Sequence, residues 1–149
     1  MIRKGPDKKE KKMKGIVLMS HGPLASGMYE ASKLFMGDDI PQYTFACLYA
    51  DDSPEDYDLL LDEKMKEVDT GEGVILIADL MGGTPCNRAM MKLMVNPKIE
   101  LIAGMNLSIV LQLLGNRLSD NYDMKELENV GKEGVLYVNP MMQAAMGGN

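Results

Sequence analysis

The sequence contains no tryptophan, two phenylalanines, one histidine and two cysteines among its 149 residues. One histidine and scattered carboxylates give no recognisable ligand set for zinc or another transition metal, so no metal is expected. Cys47 and Cys86 are too few for a disulfide framework and lack the spacing of a redox or metal pair, which suits a reducing compartment. No apolar run approaches the roughly 20 residues that a bilayer-spanning helix needs. Residues 1–14 also lack the apolar stretch of a signal peptide, and a cytoplasmic protein is expected.

Basic residues are scarce outside the N-terminus. Residues 1–14 hold seven of the 16 basic and two of the 22 acidic side chains, leaving nine against twenty, a net −11, for the rest. A body of that sign repels phosphate backbones and anionic lipid, so nucleic acid is excluded as a partner and a basic protein is favoured. The basic cluster itself, Arg3-Lys4-Gly5-Pro6-Asp7-Lys8-Lys9-Glu10-Lys11-Lys12, has no apolar periodicity and reads as a disordered leader or tag remnant over 1–12, with Met13 as a candidate native start. There is no internal repeat and no linker, so one domain over 13–142 and a flexible tail over 143–149 are expected.

What is present is a recurring unit of apolar run, polar loop and helix-spaced segment. Ile16-Val17-Leu18-Met19, Thr44-Phe45-Ala46-Cys47-Leu48, Val74-Ile75-Leu76-Ile77-Ala78 and Ile99-Glu100-Leu101-Ile102-Ala103 read as strands. They are apolar nearly throughout, as in a parallel sheet covered on both faces. Helices are expected over Leu24–Met36 after Pro23, over Pro54–Val68 after the cap Asp51-Asp52-Ser53, over 84–94 with Pro85 in the first turn, over about 106–114, and over about 124–130. A last run, Val135-Leu136-Tyr137-Val138, reads as a short isolated strand. The fold class is α/β: a doubly wound sheet of four parallel strands in the order 2-1-3-4, with helices on both faces and a short C-terminal strand. Fifteen methionines are many for this length and read as flexible core filler.

In such a sheet ligands sit beyond the carboxyl ends of the strands, at the switch point between strands one and three. Strand one runs into Ser20-His21-Gly22, strand three into Asp79-Leu80-Met81-Gly82-Gly83-Thr84, and strand four into Gly104-Met105-Asn106, so the three polar loops share one edge. His21 is thereby placed at the crevice mouth, with Gly22 leaving backbone room for a ligand. Imidazole is a nucleophile near neutral pH. A carboxylate bonded to one ring nitrogen leaves the other nitrogen's lone pair free, and Asp79 is the candidate for that carboxylate, a role that can coexist with capping its own turn.

Gly82-Gly83-Thr84-Pro85 supplies an unhindered turn into a helix where free N–H groups and a hydroxyl can bind an anion. It is not a Walker loop, since no lysine follows in the required place, and no dinucleotide fingerprint opens the first helix. Asn87 either faces the crevice or caps locally, and Asn106 is similarly placed after strand four. Cys86 is assigned packing only. A serine hydrolase is disfavoured, because Ser20 and His21 are chain neighbours that point to opposite sides of an extended strand and no nucleophile elbow is present.

Gly15-Ile16-Val17-Leu18-Met19-Ser20-His21-Gly22, then Ala78-Asp79-Leu80-Met81-Gly82-Gly83-Thr84-Pro85-Cys86-Asn87, then Ala103-Gly104-Met105-Asn106-Leu107 together resemble the mannose-family IIA domains of the sugar phosphotransferase system (PTS). The resemblance implies a phosphoryl carrier that needs no cofactor, accepts its group from the phosphocarrier protein HPr on His21 and passes it to the IIB component. It implies a phosphotransferase acting through a phosphohistidine, with Asp79 on the ring and Gly82, Gly83 and Thr84 near the phosphoryl group. Thr84 stands where some members have serine, and Leu80 where certain relatives have a hydroxyl residue, so a contact there is lost. The resemblance further implies a homodimer whose last strand, 135–138, crosses to the partner's sheet, and a free-standing IIA chain with IIB separate. Membrane contact would be indirect, through the IIC/IID permease, to which sugar selection also belongs. Two rivals stand beside it: the phosphotransferase subunit that serves dihydroxyacetone kinase, and a non-catalytic regulatory module on the same fold.

Overall fold

Apolar runs of four to seven residues cannot bury both their faces alone, and the chain solves this by alternation. The computed structural model describes residues 12–147, so the expected leader lies, but for Lys12, outside the described residues. Strands β1 (Gly15–His21), β2 (Tyr43–Leu48), β3 (Val74–Ala78) and β4 (Glu100–Ala103) form one parallel sheet in the order β2-β1-β3-β4. The expected strand order is the observed one.

Side chains alternate across the sheet. Ile16, Leu18, Ile75 and Ile77 enter one core, while Val17, Met19, Val74 and Leu76 enter the other. The first core packs against α1 (Leu24–Met36), α4 (Leu107–Leu118) and α5 (Met124–Glu133); the second against α2 (Pro54–Val68) and α3 (Gly83–Val95). Burial on both faces explains why β1 and β3 carry no polar alternation until β1 reaches its carboxyl end.

The helix starts follow from their caps. Ser53 accepts a hydrogen bond from Asp56 N at 3.0 Å with Pro54 at the first helical position, and Asp123 accepts from Glu126 N at 3.0 Å. At α4 Asn106 plays that part, and the helix continues past Gly115 to Leu118, further than the expected 114. It does so because Arg117, only 4% exposed, reaches back to the Lys14, Pro41 and Gln42 carbonyls and fixes the last turn.

The C-terminal segment differs from expectation. Val135-Leu136-Tyr137 belongs to no strand, and a helix, α6 (Val138–Ala145), follows with no buried residue. The expected strand over 135–138 is therefore absent among the described residues. Four apolar residues without a neighbouring strand have nothing to pair with, and Pro140 is tolerated in a helix's first turn. The expected boundary at 142 falls inside α6.

Candidate functional site

The site is assembled by parallel pairing. In register, β1 and β3 align Met19 with Ala78, so the residues that follow, Ser20-His21 at the end of β1 and Asp79 just past β3, lie side by side. Asp79 N donates to Met19 O at 2.9 Å, which ties the two strand ends together. On the other flank Gly22 N donates to Leu48 O at 2.7 Å. Gly22 has φ 58°, with open space where a side chain would stand, so it is the backbone turn and not crowding that asks for glycine there.

Asp79 grips His21 twice. Its Oδ2 accepts from the His21 backbone N at 2.9 Å and lies 2.9 Å from ring Nδ1, while Oδ1 accepts from Leu80 N at 2.9 Å. The carboxylate is 5% exposed and the imidazole 46%, so the acid is fixed inside while the ring faces outward. A carboxylate only accepts, so in a neutral ring this contact puts the proton on Nδ1 and leaves the lone pair on Nε2. The Asp79 side chain also closes its own turn through Leu80 N, so the two roles expected of it coexist.

That Nε2 edge rests on the start of α3. A Cβ built on Gly83 would lie 2.6 Å from His21 Cε1 and 2.7 Å from Nε2, and Gly83 has φ 75°, so a side chain here would strain the backbone and push the ring aside. Gly82 caps α3 without a side-chain hydrogen bond, and no acidic residue occupies the first turn. The helix's positive end and its free N–H groups are thus left open beside the ring, an arrangement suited to an anion. Beside it a groove of about 610 Å³ opens between α1 and the start of α4, lined by His21, Pro23, Leu24, Met28 and Leu107 among others. Leu80 and Met81 are exposed on the loop between β3 and α3.

A family model described as "PTS system fructose IIA component" (EIIA-man) matches residues 15–130. The chain belongs to this family. Among curated relatives, the PTS system fructose-specific EIIA component of Bacillus subtilis (strain 168) is 22% identical over 117 residues, 78% of each chain. Among solved structures, the mannose/sorbose-specific IIA subunit from Enterococcus faecalis superposes with a TM-score of 0.72 at 25% identity, covering 83% of this chain and 93% of that one. The PTS IIA protein associated with the fucose utilization operon of Streptococcus pneumoniae has the same fold, with a TM-score of 0.80 at 20% identity over 87% and 96% of the two chains.

Within this mannose/fructose-type IIA component, the residues singled out from sequence separate into two groups. His21, Gly22, Asp79, Gly82, Gly83 and Thr84 share one edge, with Thr84 half-buried in the first turn of α3. Asn106 does not turn its amide to the crevice: Oδ1 accepts from Ile109 N and Nδ2 donates to Gly131 O, both at 2.9 Å, so it joins α4 to α5. Asn87 is exposed on α3 and gives the helix no cap. Cys86 is fully buried, in keeping with packing. Sequence reasoning set Ser20 aside, yet its buried hydroxyl binds the turn that carries His21. The signal was available in Pro23, whose ring cannot cap the helix it begins.

Proposed function

We propose that this IIA component is a phosphoryl carrier, with His21 Nε2 as the acceptor from phospho-HPr and IIB as the next acceptor. The observation that carries the reading is the Asp79 Oδ2 contact with both His21 N and Nδ1, set against an Nε2 edge lying on the α3 start. In the transfer, the Nε2 lone pair forms a bond to phosphorus while the P–N bond to the donor's histidine breaks, its electron pair leaving with the donor ring. The acceptor ring gains positive charge, which the Asp79 carboxylate stabilises through Nδ1–H. Free N–H groups at the start of α3, with the Thr84 hydroxyl, meet the phosphoryl oxygens. Discharge to IIB is the same step reversed, so no metal or nucleotide takes part.

The surroundings favour protein partners. An apolar groove and the exposed Leu80 and Met81 flank a small polar centre, and the acidic body attracts a basic carrier. No helix of the described residues is long and apolar enough to cross a membrane, and contact with the IIC/IID permease would run through IIB. We place the protein in the cytoplasm, where such partners meet it. Homodimerisation belongs to the same reading: β4 pairs only with β3 among the described residues, and Val135, Leu136 and Tyr137 are 78%, 62% and 76% exposed, free to extend a second copy's sheet.

Acceptor choice tests the proposal. The charged protein is mixed with a mannose-type IIB or with dihydroxyacetone kinase, and loss of its phosphoryl group is followed by intact mass. Discharge to IIB is expected. Discharge to the kinase alone would transfer the protein to that rival system, and discharge to neither would favour a regulatory module.

A further inference from the structure

The hydroxyl one residue before His21 is fully buried and fully engaged. Ser20 Oγ donates to Gly22 O at 3.0 Å and accepts from Ala25 N at 2.7 Å, with Cys47 Sγ 4.0 Å away. These bonds bracket His21. The residue after it is held by Ser20 Oγ on its carbonyl and by Leu48 O on its amide, while His21 N itself is held by Asp79. Helix α1 has Pro23 as its N-cap residue and no cap from that side chain, so Ser20 supplies the missing acceptor from three residues upstream.

Two consequences follow for the ring. Its backbone is held on both sides of Cα, by Asp79 on His21 N and by Ser20 and Leu48 on Gly22, so the second Asp79 contact, at Nδ1, is left to set the side-chain torsions, with Nε2 against Gly83. The Ala25 N–H, which would otherwise compete for an anion at the start of α1, is consumed. Group transfer is sensitive to displacements of a fraction of an ångström in the attacking atom, which is the scale that one lost hydrogen bond in a two-residue turn permits.

We infer that Ser20 is a positioning residue for phosphoryl transfer, acting through its hydroxyl on the β1–α1 turn and so on the direction of His21 Nε2. This rests on the carrier reading above. The test compares the full-length parent with Ser20→Ala and Ser20→Thr, measuring initial rates of charging against phospho-HPr concentration below the melting transition of each protein. Ser20→Ala should lose about ten-fold in kcat with KM unchanged, the equivalent of about 1.4 kcal/mol in the transition state, while Ser20→Thr, which keeps the hydroxyl, stays within about two-fold of the parent. A parental kcat in Ser20→Ala overturns the inference, as does a loss confined to KM. So does a Ser20→Thr variant as slow as Ser20→Ala, or failure of either variant to fold, since each assigns the residue to packing. A parent that takes no phosphoryl group from charged HPr sinks the carrier reading and this inference together, which is readily told from a parent that charges beside an equally fast Ser20→Ala.

Discussion

At His21 the two ring nitrogens are given different work by what touches them. Nδ1 is held by a 5%-exposed carboxylate, and the Nε2 edge lies against a glycine at the start of α3. Asp79→Asn keeps the shape but removes the charge that fixes the Nδ1 proton and stabilises the charged ring. Because a hydrogen bond to a charged group contributes about 1.5–3 kcal/mol, charging from phospho-HPr should slow about 10- to 100-fold in stopped-time mass measurements, with folding retained. An unaltered rate would remove Asp79 from the chemistry. His21 and Asp79 were legible because one ends a strand, the other directly follows one, and the two strands are neighbours in the sheet, a matter of topology alone. The close fit of the ring on Gly83 was not: a glycine pair announces backbone freedom but does not say which side chain will use the space.

Among the helices expected from sequence, starts were located with less error than ends. The ranges Leu24–Met36, Pro54–Val68 and Val74–Ala78 are as expected, whereas α4 and α5 run on because nothing local marks their ends. Gly115 looked like a stop, but its helix is held by a buried arginine that meets carbonyls distant in the chain, which no local pattern reveals. Asn106 shows the same limit at a single cap. Its placement beyond β4 fitted the crevice as well as a local cap, while the bond from its Nδ2 to Gly131 O depends on where α5 packs. Asn106→Ala should lower unfolding free energy by about 1–2 kcal/mol, the cost of a lost N-cap, with the charging rate of the folded protein unchanged. Denaturant melts and charging assays on the same sample check this; a normal melt with impaired charging would return Asn106 to the crevice.

The whole molecule is asymmetric along the strands. The carboxyl edge carries the exposed ring and the open start of α3, while the opposite edge is closed by Arg117, whose guanidinium is held by three carbonyls and whose pKa is lowered by burial. Laterally, β4 offers an edge free of any strand other than β3 among the described residues, and the uncharged segment Val135-Leu136-Tyr137 with α6 packs on no core. An eight-residue helix is marginal in water without a partner surface. Sedimentation equilibrium at micromolar concentration should therefore return twice the chain mass of 16.4 kDa. A monomer throughout would contradict the exchange. The apolar run stood out in the sequence, but the strand expected of it is absent among the described residues, because the segment has no strand beside it to pair with.

Carriage of a phosphoryl group on His21 is the claim on which the rest depends. Purified protein and a His21→Ala variant, each incubated with phosphoenolpyruvate, enzyme I and HPr, are compared by intact mass. The account predicts the gain of one phosphoryl group in the parent and none in the variant. An uncharged parent beside charged HPr, or equal gain in both proteins, would contradict it.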